Sequence, residues 1–193
     1  FFNLGNAYYR QGMMARAILA YERALRLAPG DPDIGHNLRL ANLRIVDRIE
    51  PVPELFLVGW IRAITNLLPL SMNVRIVLLA WIVLFSSLAL AYGVRRPFAA
   101  RIARWCVPGS LIVVVLAGAV LGVQAVRFND RSEAIVMSRV LTAKNSPDPQ
   151  SVDAFVLHEG LKVKVSDQVA EWVMITLADG KVGWIHSGDC ERI

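Results

Sequence analysis

Cysteine is nearly absent: Cys106 and Cys190 are the only two among 193 residues. They are too few for a disulfide framework or a structural zinc site. The three histidines, His36, His158 and His186, stand without partners at metal-ligand spacing. We expect no metal, no cofactor and no catalytic residue. His186, Asp189 and Cys190 lie close in sequence, but neighbours at a strand end rarely place a base against a thiol. Acidic side chains are missing from Leu55 to Asn129, where seven arginines stand: Arg62, Arg75, Arg95, Arg96, Arg101, Arg104 and Arg127. The chain has 21 basic and 16 acidic residues, so the remainder holds 14 and 16. The net charge of +5 is therefore a local surplus, not a groove-binding stripe, and nucleic acid is excluded as a partner. Charged residues make up 19% of the chain against 55% apolar ones, which excludes one soluble globule.

The apolar residues are gathered in two runs. Ile76 to Val94 is 19 residues without a charge, and Trp105 to Val126 is 22. A hydrocarbon core about 30 Å thick takes roughly 20 helical residues. Two membrane spans are expected within 76–126, with Pro108 in the first turn of the second. A basic loop over 93–104 separates them. A short loop with four arginines stays in the cytoplasm, so both termini are expected on the other side of a bacterial inner membrane. Gly118 and Gly122, and Ala89 and Gly93, are small residues four apart that would let the spans pack on each other or on a second copy. Neither span carries an ionisable residue in its middle, which argues against transport. Ahead of them, 49–75 reads as a linker, broken by Pro51 and Pro53, and an amphipathic helix from Glu54 to Leu70. Leu57, Trp60, Ile61, Ile64 and Leu68 share one face of it. It lies either in the headgroup plane or as a soluble helix under the preceding segment.

Residues 1–48 follow a 34-residue helical-hairpin pattern. Its slots hold Phe1, Leu4-Gly5, Tyr8, Ala17, Tyr21, Ala24 and Pro29. Gly5 and Ala17 let two antiparallel helices approach, Gln11-Gly12 turns the chain, and Pro29-Gly30-Asp31 stops the second helix. A further helix over Asp33 to Val46 repeats the Asn-Leu of the first at Asn37-Leu38 and reads as a terminal cap. These residues resemble a tetratricopeptide (TPR) repeat. The chain opens inside it without an initiator methionine, so we expect an N-terminally truncated fragment with further repeats upstream. The resemblance implies peptide binding on the concave face, by Asn3, Asn6, Tyr9 and Arg10. The alternative is that these four are solvated repeat residues.

Over 133–193 the period becomes alternating. Leu161-Lys-Val-Lys-Val165 is one strand, and Trp172 to Leu177 and Val182 to His186 flank an Asp179-Gly180 turn. The runs Val140 to Pro147, Phe155 to Gly160, Glu171 to Ile175 and Asp179 to Ile185 resemble a bacterial SH3-like (SH3b) domain, an all-β small barrel. The arginine usual before its Ser/Gly-Pro turn is absent. Trp172 and Trp184 line a groove or pack in the core; the residues leave both open.

The order of repeat, two spans and SH3b domain resembles the BatE-type proteins of bacterial aerotolerance (Bat) operons. The fold class expected is a multidomain membrane protein: an all-α hairpin, two transmembrane helices and an all-β barrel. The resemblance implies a non-enzymatic inner-membrane scaffold linked to oxidative-stress tolerance. Its partners would be the Bat membrane and von Willebrand-type components, a MoxR-type ATPase complex and the lipid bilayer. The alternative is an anchor that binds peptidoglycan through the SH3b domain.

Overall fold

The computed structural model describes residues 1–49, 56–93 and 97–193. The expectations placed on Pro51, Pro53, Glu54, Arg95, Arg96 and the side chains of Leu57 and Arg62 lie outside the described residues. The chain forms two compact units. One joins Phe1–Leu55 with Asp130–Ile193; the other is Phe56–Asn129.

The first unit opens with three helices: α1 (Phe2–Arg10), α2 (Met14–Leu27) and α3 (Pro32–Asn42). Small residues set the α1–α2 distance. Ala15, Ala17, Ala20 and Ala24 are buried along α2, and Gly5 faces the ring of Tyr21 so closely that a Cβ would stand 2.5 Å from it. Asp31 caps α3: its carboxylate accepts from the N–H groups of Asp33 at 3.0 Å and Ile34 at 3.4 Å, and Pro32 takes the first helical position.

The same unit ends in seven antiparallel strands: β1 (Glu133–Val136), β2 (Val140–Lys144), β3 (Asp153–His158), β4 (Lys162–Val169), β5 (Trp172–Thr176), β6 (Val182–His186) and β7 (Cys190–Arg192). Their order is β3-β2-β6-β5-β4-β1-β7. Alternation explains the core: Val163 and Val165, Val173 and Ile175, and Ile185 point inward along their strands. The expected barrel is corrected in one respect. The ladder does not close, because β3 and β7 stand at its two ends. Strand β1 is buried on both faces. Ala134 and Val136 enter the sheet's core, whereas Ile135 packs with Ile18, Leu38 and Ala41 of the helices. Full burial of one such isoleucine contributes roughly 1.5–3 kcal/mol.

The second unit has α4 (Phe56–Asn66), α5 (Leu70–Gly93) and α6 (Pro97–Asn129). Two stretches, Leu70–Gly93 and Ala100–Asn129, are long and apolar enough to cross a membrane by length and composition. Both helices are longer than the apolar runs. Pro97 to Arg104, which the sequence places in a loop, continue α6: the alanines there are strong helix formers and Pro97 suits a first turn. Pro108 accordingly lies inside α6 rather than in its first turn. The small-residue pairs do not make the α5–α6 contact either. A Cβ added at Gly93, Gly118 or Gly122 would meet nothing within 4 Å. The buried side of α5 is instead Asn73, Ala80, Leu84, Ser87 and Ala91, a heptad-like stripe.

Polar side chains also fasten this unit. Asn73 donates to Gln124 Oε1 at 3.0 Å, and Gln124 Nε2 donates to the carbonyls of Thr65 at 2.7 Å and Leu68 at 2.8 Å. The Thr65 carbonyl is one of the orphans in the last turn of α4, and that of Leu68 lies in the turn that follows, so α6 caps the end of α4. Arg127 adds a bond to Thr65 Oγ1 at 2.8 Å.

Candidate functional site

A cavity of about 200 Å³ opens beside α1, lined by Asn6, Tyr9, Arg10, Tyr21, Asn37 and Leu40. Its floor is a fixed polar triad. The Tyr21 hydroxyl donates to Asn6 Oδ1 at 2.7 Å, and Asn37 Nδ2 donates to the same oxygen at 2.9 Å. Asn6 thereby ties α2 to α3. Burial, then the neighbouring Tyr9, raises the Tyr21 pKa above its ordinary value, while the Asn37 hydrogen bond and Arg10 pull the other way. Tyr21 thus stays a donor at neutral pH. The guanidinium of Arg44 lies 4.7 Å from the centre of the Tyr9 ring. Arg10 is exposed at the cavity wall and Leu40 presents an apolar contact. A hydrogen-bonding floor with a cation and apolar patches beside it suits an extended peptide with a carboxylate.

Three of the four residues chosen from sequence, Asn6, Tyr9 and Arg10, line this cavity; Asn3 is exposed on α1 and does not. Sequence reasoning missed Asn37 and Leu40 as lining residues. The 34-residue period was the available signal, since Asn37 repeats Asn3 and Leu40 stands in register with Asn6.

Residues 1–31 match the tetratricopeptide repeat family. The TPR covers α1, the turn and α2, with α3 following it. A TPR is a non-catalytic repeat type that mediates contacts between proteins, and that is the role the match supports. A search of the curated proteins found no match to the chain.

Outside the TPR, Trp172 and Trp184 are half-buried. They alternate with the inward Val173 and Ile185, so they stand on the sheet's outer face, with Met174 directly opposite Trp184. The Trp172 ring packs on His186 at 4.1 Å between centres. The His186, Asp189 and Cys190 side chains turn to different partners. Asp189 accepts from the Ser138 hydroxyl, and the Cys190 thiol points to the Ser187 carbonyl at 3.9 Å. Burial pushes the thiol pKa up, with Asp189 adding and Arg192 opposing. That is the reverse of what a nucleophile needs.

Proposed function

We propose that the chain is a non-enzymatic, membrane-anchored adaptor whose TPR takes an extended, carboxylate-bearing peptide segment of a partner protein. The cavity lined by Asn6, Tyr9, Arg10, Asn37 and Leu40 carries this reading. The C-terminal sheet is read as an SH3b-like domain, and the whole as a BatE-type component of an aerotolerance (Bat) complex beside von Willebrand-type and MoxR-type ATPase partners.

Anchoring rests on α5 and α6. They are apolar, and only 22% and 6% of their most apolar windows are buried, unlike the core helices of a soluble protein. Both flanks of residues 56–129 belong to one compact unit, which needs an even number of crossings. Together with the arginines near 93–104, this supports a reading in which the TPR and the sheet lie outside the bacterial inner membrane. Alkaline phosphatase fused after Phe98 should be inactive and fused after Ile193 active; the reverse pattern would overturn the topology.

The peptide reading is tested by affinity capture from membranes with the full chain. Arg10→Glu with Leu40→Asp should lose the partners that the parent chain retains. An unchanged set of captured proteins would remove the cavity from the function. The outer-face placement of Trp172, Met174 and Trp184 favours a second reading, peptidoglycan anchoring. Binding of the full chain to purified sacculi, lost in Trp184→Ala but kept in the cavity variant, would select it.

A further inference from the structure

A helical repeat buries little by itself and ordinarily leans on neighbouring repeats, about three being needed for stability. In this chain another layer lies against it. Ile135, fully buried, belongs to the core of the helices, and Met137 and Ile193 pack beside it. The fit is close. Gly160 turns the chain at a φ of +90°, and a Cβ there would stand 2.6 Å from Ile45 Cγ2 and 3.2 Å from Ile18 Cδ1. Only glycine meets both demands. Lys162 Nζ bridges the two layers, 3.0 Å from Glu22 on α2 and 2.8 Å from Glu133 on β1.

The sheet has the complementary need. Its ladder is open, and an open edge presents unpaired N–H and C=O groups that invite another strand. Both edges are met by the N-terminal segment, β7 by α2 and the last residue of β3 by Asp47 in the stretch after α3. At β7, Arg23 donates to the carbonyl of Arg192 at 2.7 Å, and Arg26 donates to that of Ile193 at 2.7 Å. At β3, the N–H of His158 donates to Asp47 Oδ2 at 2.6 Å, and the His158 ring meets Asp47 Oδ1 at 2.8 Å.

We propose that the C-terminal sheet is the neighbouring layer of the TPR, that the TPR segment closes both edges of the sheet in return, and that the two open and unfold as one unit. The face of α2 that carries Glu22, Arg23 and Arg26 is then permanently occupied from within the chain. The cavity of Asn6, Tyr9 and Arg10 shares none of these three residues and stays open to a ligand.

The experiment is hydrogen exchange by mass spectrometry on the full chain in lipid nanodiscs. Glu22→Ala, Arg23→Ala and Arg26→Ala together should speed exchange in α2, β1 and β7 by a similar factor, about tenfold or more. Arg10→Ala, on the other side of the repeat, should leave all three at the parent rate. If the triple variant does not fold, Gly160→Ala should produce the same joint loosening. Exchange that rises in the helices while β1 and β7 keep the parent rate, in either variant, overturns the proposal. So does protection of β7 that grows with protein concentration, because the edge would then be closed by a second copy.

Discussion

Gly5→Ala should lower the melting temperature of the full chain's helix–sheet unit, by an overpacking penalty of about 1–3 kcal/mol. The added methyl would stand 2.5 Å from two ring carbons of Tyr21, inside any real contact distance. Tyr21 has little room to yield. It is 1% exposed, and its hydroxyl is fixed on Asn6. Either α1 moves off α2 or the ring turns out of its site. Both routes break the hydrogen bond from Tyr21 to Asn6, worth about 1 kcal/mol, and loosen the triad at the cavity floor. Partner capture should therefore weaken along with stability. Ala17→Leu, at a position with no exposed surface, should act in the same direction through the same seam. An unchanged melting temperature in both variants would mean that the two helices do not meet at these residues.

These positions were legible because a helical hairpin leaves little choice. Small residues must stand where backbones approach, and a bulky one must fill the seam between them. Alternation likewise identified β4, β5 and β6, since one face of each is buried. Other features had no local signature. Glu22, Arg23 and Arg26 look like any solvated helix face, and only a neighbour from residue 130 onward turns them into contacts. Ile135 reads as one more inward strand residue, yet it faces the helices while Ala134 and Val136 face the sheet core.

In the apolar region the sequence invited a small-residue contact. The helices instead meet along Asn73, Ala80, Leu84, Ser87 and Ala91, and Gln124 supplies a cap to residues about sixty positions away. The extent of α6 was hidden by composition. Arg101 and Arg104 suggested a loop, but arginine and alanine are both good helix formers, and these two lie inside the helix. Trp172 and Trp184 were ambiguous for a physical reason. Tryptophan packs a large apolar body whether it sits in a core or on a half-covered face, and strand parity alone decides between them.

Lys162→Met should destabilise the helix–sheet unit at neutral pH by about 1–2 kcal/mol, less than for a fully buried ion because 37% of the lysine side chain remains exposed. The variant leaves Glu22, only 12% exposed, facing Glu133 without a cation between them. In the parent chain burial alone would push the Lys162 pKa down. The carboxylates of Glu22 and Glu133 outweigh it and hold the ammonium above the ordinary lysine range. A pKa raised by folding sets the sign of the pH dependence. The contribution is fully present below the unfolded value, about 10.4, and is lost as pH rises through the folded one. Parent and variant should therefore differ most near pH 7 and converge in stronger alkali, whereas Lys162→Arg, which keeps the charge, should retain part of the stability. Thermal unfolding of the full chain in detergent at pH 7.5 and near pH 11 measures the gap. A gap of equal size at both pH values would mean that the loss does not come from the ammonium, and that the ion bridge between the helices and the sheet contributes nothing.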